Sequence, residues 1–122
     1  MSQDATFIKG GNLLRVCEVT LAGGSKVTVE PYAIFTSPKK RRHYLWFRTS
    51  RSDPDDRPAW ESPDASSVKL IRLTEDSFKI RRDYDPFDKE KLPVVHFSVP
   101  MHDGRQRWLD AGPKKDKSTI SN

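Results

Sequence analysis

Short runs of alternating apolar residues, each cut off by a Gly-, Pro- or Asp-rich turn, recur along the chain, and no stretch sustains a 3.6-residue period. A chain patterned this way can bury one side of several short strands but has no long amphipathic helix with which to build a core. Residues 13–21 place Leu13, Cys17, Val19 and Leu21 on one side. Ala22-Gly23-Gly24-Ser25 then reads as a hairpin turn, because paired glycines take up positive φ at little cost. Residues 26–35 return as a second strand, interrupted by Pro31, which cannot donate to a ladder and implies a bulge or an edge there. In a third strand, 43–49, the sides separate as His43, Leu45, Phe47 and Tyr44, Trp46, Arg48. Leu45 and Phe47 are the expected core pair, which leaves Tyr44, Trp46 and Arg48 facing outward or into a groove. Residues 68–73 and 78–84 read as fourth and fifth strands around a turn at 74–77. A sixth runs over 94–101, and a seventh over 105–109 follows the Asp103-Gly104 turn, with Trp108 covering the end of the core. The fold expected is all-β: a small, strongly bent antiparallel sheet or an SH3/Sm-like barrel of about five to seven strands.

The length of 122 residues suits one domain. Residues 1–12 read as a flexible arm ending in Gly10-Gly11, 13–110 as the single β-domain with a long loop at 50–67, and 111–122 as a disordered basic tail. Residues 53–64 set five acids against Arg57, so this loop is a candidate to fold over a basic neighbour and compete for it. Trp60 within it is expected to pack back onto the domain. No run of apolar residues is long enough for a membrane span, and the N-terminus lacks the basic-then-apolar order of a signal peptide. Cys17, the one cysteine, lies in an apolar run and reads as a buried, inert thiol, which fits a reducing, cytoplasmic compartment.

Charge is focused. Between Pro31 and Ser52 stand Lys39, Lys40, Arg41, Arg42, Arg48 and Arg51 with no Asp or Glu, so a chain of net charge +5 is slightly negative outside this window. Positive charge beside aromatic rings attracts a phosphate backbone and stacks its bases. In that reading Lys39, Lys40, Arg41 and Arg42 contact phosphates, Tyr44 and Trp46 stack a base, and Arg48 makes a forked contact. Arg81, from a second basic cluster with Lys79 and Arg82, extends the patch if its strand neighbours the third.

Other chemistry finds little footing. The three histidines and one cysteine do not give the four compactly spaced ligands of a structural zinc site. No serine sits in a Gly-flanked elbow, and neither Gly10-Gly11 nor Gly23-Gly24 carries the lysine and hydroxyl of a phosphate loop. Neither an enzyme nor a metal or cofactor is expected.

Four segments in order carry a family resemblance: Val29-Glu30-Pro31-Tyr32, then His43-Tyr44-Leu45, then residues 68–78 (VKLIRLTEDSF), then Asp83-Tyr84-Asp85. Residues 13 to 88 resemble the WYL domain, named for a Trp-Tyr-Leu strand. The resemblance implies a small Sm- or SH3-like β-barrel that senses a ligand, nucleotides and single-stranded nucleic acid foremost, in bacterial transcription regulators or defence systems. It also implies that Tyr44 lines the ligand face. The chain departs from the pattern at His43, where the family has Trp, and at Ser67, where it has Arg; Arg72 takes that place only if the strand is shifted. Residues 1–12 are not expected to supply a helix-turn-helix. The function expected is a non-enzymatic regulatory module that binds single-stranded nucleic acid or a nucleotide-type ligand. The alternative is a protein–protein interaction or homodimerisation module with no nucleic-acid ligand.

Overall fold

The structure is a computed structural model that describes residues 3–51 and 57–110; the tail expected at 111–122 and part of the acidic loop lie outside the described residues. Six strands form one antiparallel sheet: β1 (Arg15–Leu21), β2 (Lys26–Thr36), β3 (Arg42–Arg51), β4 (Ala59–Glu61), β5 (Val68–Ser77) and β6 (Val94–Ser98). The order is β4-β3-β2-β1-β5, with β6 also paired to β2. One half of β2 pairs β1, from Thr20↔Lys26 to Cys17↔Val29, and the other half pairs β6, from Ala33↔Ser98 to Thr36↔Val94. Pro31 falls at the junction between these two partners, where its missing N–H leaves no ladder bond unmade. Against β3 the register shifts between Pro31 and Ala33, which is the bulge its position implies. With β4 and β5 ending the order, the sheet is open rather than closed into a barrel.

Both faces of the sheet are covered, and β2 is buried without a break from Val29 to Phe35. On one face lies a helix, α1 (Gln3–Leu13), where a flexible arm was expected. Its buried residues, Phe7, Gly10 and Gly11, follow the i, i+3, i+4 spacing of one helix face. Phe7 is fully buried, with its ring centroid 4.8 Å from that of Tyr44 and 6.5 Å from those of Trp46 and Phe97. The glycines let the helix backbone approach the sheet: a Cβ on Gly10 would lie 2.7 Å from Cys17 Sγ, and one on Gly11 2.5 Å from Phe97 Cζ. The helix stops at Leu14, in the left-handed region (φ 55°), whose N–H bonds the Gly11 carbonyl at 3.2 Å.

The opposite face is covered by residues 78–93. The strand expected over 78–84 is absent; the chain runs irregularly and drops Phe78, Tyr84 and Leu92 into the core. Their centre is Tyr32, with ring centroids of Trp60 and Tyr84 at 4.7 Å and of Phe78 at 5.6 Å. The turn expected at 74–77 is the end of β5. The strand expected over 105–109 is likewise absent. Arg107 there is buried and donates from Nη1 to the Pro86 and Leu92 carbonyls, both at 2.8 Å, clipping this segment to the connector. With Arg107 turned inward, Trp108 points out and is 90% exposed, so it does not cap the core.

Candidate functional site

The basic hairpin tip is built by local rules. Ser37 donates its N–H to the Arg41 carbonyl at 2.8 Å and accepts from the Lys40 N–H at 2.8 Å, closing a three-residue loop over Pro38, Lys39 and Lys40. Proline suits the first position of such a turn, and Lys40 takes the left-handed position (φ 63°) that follows it. Lys39 and Lys40 are exposed at the apex. Arg41 and Arg42 are about half exposed, and each faces an acid: Arg41 Nε donates to Asp64, and Arg42 Nη1 lies 3.5 Å from Asp4 Oδ2.

Asp64 is held well below the usual carboxylate range, first by its bond from Arg41 and then by the Ser66 N–H at 2.8 Å. Its contribution is therefore present above a pH of about 4 and is lost as pH falls through its lowered value. The described part of the acidic loop thus lies on the hairpin: Asp64 on Arg41, and Glu61 on Trp46 and Arg48.

Tyr44 and Trp46 are corrections. Both are 1% exposed, on the face under α1, and neither presents a ring to solvent. An outward Tyr44 and Trp46 would need only one side of β3 to be covered, whereas Leu45 and Phe47 are half-buried on the other side. The Tyr44 hydroxyl donates to Asp4 Oδ1 at 2.5 Å, and its pKa is raised, by burial first and then by that bond. Trp46 Nε1 donates to Glu61 Oε1 at 3.0 Å, and Arg48 Nε to Glu61 Oε2 at 2.8 Å. Arg48 is buried, and its Nη1 has no hydrogen-bond partner among the described residues.

Arg81 is not on a strand beside β3, yet it does reach Phe47: its guanidinium lies 3.6 Å from that ring centroid and forks onto Glu30 at 2.9 and 3.2 Å. Lys39, Lys40, Arg41 and Arg42 therefore stay together at one tip, while Tyr44, Trp46, Arg48 and Arg81 are absorbed into packing and ion pairs. Cys17 is buried, its thiol pushed up to about 12 by desolvation.

A concavity that the sequence did not announce lies on the face away from α1. It holds about 370 Å³ between β3, β4 and residues 83–92. Phe35, Leu45, Trp60 and Tyr84 line it, with Asp83, Asp85, Asp88 and Lys91 also contributing. The sequence signal for it was Trp60, isolated in a polar loop. Its acids, scattered through a connector, carried no pattern of their own. No group of three or more His, Cys, Asp or Glu among the described residues is placed to hold a metal ion, and no described helix is long and apolar enough to cross a membrane. Compared with known proteins, the chain matches no family model, and no curated protein or solved structure is significantly similar to it.

Proposed function

We propose that this chain is a non-enzymatic binding module whose β2–β3 hairpin tip engages the phosphates of single-stranded nucleic acid or of a nucleotide-type ligand. The observation that carries this reading is the run of four cationic residues, Lys39 to Arg42, displayed on a tight turn between paired strands. A tip of this kind recognises charge and not sequence, since the neighbouring rings of Tyr44 and Trp46 are buried. Asp4 and Asp64 compete with the ligand for Arg42 and Arg41, leaving Lys39 and Lys40 as the first points of contact. A regulatory setting follows from the WYL resemblance alone and stands with it.

Anisotropy of labelled single-stranded DNA and RNA, titrated at several salt concentrations, tests the proposal. Binding is expected to weaken with salt, and Lys39→Ala/Lys40→Ala to reduce the log–log slope by about 1.4, at roughly 0.7 per lost phosphate contact. Absence of binding at low salt, or an unchanged slope in the double variant, rejects the hairpin as the site.

A further inference from the structure

We infer that the concavity beside β4 is a binding site for an alkylguanidinium group, the head of an arginine side chain. Three observations converge on that chemistry. The cavity, about 370 Å³, sits at the small end of the range for ligand pockets, sized for one side chain or a small molecule. Its apolar lining includes two aromatic rings, Trp60 and Tyr84, stacked with centroids 6.0 Å apart and planes 24° from parallel. Besides Glu61, whose carboxylate is taken up by Trp46 and Arg48, the carboxylates of Asp83, Asp85 and Asp88 line it, against the single ammonium of Lys91.

Those carboxylates are oriented by local bonds. Asp83 Oδ2 accepts from Trp60 Nε1 at 2.9 Å. Asp85 Oδ1 accepts from the Phe87 N–H at 2.9 Å, and Asp88 Oδ1 from the Glu90 N–H at 3.0 Å. The second oxygen of each makes no hydrogen bond or ion pair among the described residues. A planar guanidinium matches this set better than a compact ammonium, because it lies flat on a ring while its N–H groups fork onto carboxylates. The same face already holds one guanidinium in that manner: Arg81 lies over Phe47 and forks onto Glu30. Phe47 in turn packs edge-on against Trp60, at 5.3 Å between centroids.

The test uses the whole chain and follows its indole N–H resonances by NMR. Trp60 reports the cavity, and Trp46, buried against Phe7 under α1, controls for folding. N-acetyl-arginine amide is the probe, and the citrulline analogue is its neutral isostere. Arginine amide should shift the Trp60 resonance saturably, and citrulline amide should bind at least about tenfold more weakly, because charge-assisted bonds are lost. Asp85→Asn and Asp88→Asn keep the turn acceptors but remove charge, and should weaken arginine binding with Trp46 unmoved. A Gly-Arg-Gly peptide separates the sources: tighter binding than arginine amide supports a protein partner's arginine, and equal binding supports a small guanidinium compound. No saturable shift, equal binding of citrulline, or indifference to both Asn variants overturns the inference. Because the hairpin tip plays no part in this readout, its success or failure is separate from that of the nucleic-acid reading.

Discussion

The Tyr44 hydroxyl and the Arg42 guanidinium both meet Asp4, so one carboxylate from α1 fixes a core tyrosine and restrains a cation of the hairpin tip. Tyr44→Phe removes a bond to a partly exposed carboxylate and should cost about 1 kcal/mol of folding stability. It should leave nucleic-acid affinity unchanged, because the ring is buried. A loss of binding with stability retained would return Tyr44 to the ligand face. Asp64 gives the opposite kind of test. Asp64→Asn keeps an acceptor for the Ser66 N–H but drops the charge that holds Arg41. Freed, Arg41 should raise affinity for a single strand about twofold or more at low salt, a gain of the order an exposed ion pair withholds. Anisotropy at low and high salt measures it; unchanged affinity at low salt would mean that Arg41 takes no part in binding.

At the scale of elements, α1 is the instructive case. Glycine costs about 1 kcal/mol relative to alanine inside a helix, so Gly10→Ala on propensity alone should stabilise the protein. The Cβ would instead meet Cys17 Sγ at 2.7 Å, on a strand that cannot give way cheaply. Overpacking of this kind costs about 1–3 kcal/mol, and urea denaturation should show Gly10→Ala to be the less stable protein. A gain in stability would mean that the helix rests loosely on the sheet. The same residues explain why the helix was illegible. Gly10-Gly11 reads locally as a breaker, and only the unread partner surface of Cys17 and Phe97 makes small residues necessary there. Where turn chemistry is local, the sequence was informative: Gly24 at φ 95° and Gly104 at φ 90° sit in the turns assigned to them, and Pro31 sits at its bulge. The basic tip was legible for the same reason. Which face of β3 is buried was not, because that depends on α1 and on residues 78–93, which cover both sides. The strand expected at 78–84 failed similarly: Phe78, Ile80 and Tyr84 alternate, but they pack one by one onto Tyr32 and its neighbours without pairing to a strand.

At the scale of the molecule, two half-cores share one set of strands. Phe7, Tyr44 and Trp46 fill the side under α1, while Tyr32, Tyr84 and Leu92 fill the other. β4 joins them, since Trp60 stands opposite Phe47 on one face and Glu61 opposite Trp46 on the other. β2, buried from Val29 to Phe35, belongs to both. Neither half has a backbone scaffold of its own, so losing one exposes the strands on which the other rests. Unfolding should therefore be a single transition, as small domains usually show. The Trp46 and Trp60 indole N–H resonances report the two halves, and in a urea titration both should vanish with one midpoint. Phe7→Leu alters only the α1 side, yet by this argument it should lower both midpoints equally, at a cost of about 1 kcal/mol. If the Trp46 resonance is lost first and Trp60 keeps its original midpoint, the two faces are independent units and α1 is an accessory to the sheet. Coincident loss would mean that a ligand bound at the concavity on one face also stabilises the helix on the other, by the ordinary linkage between binding and folding.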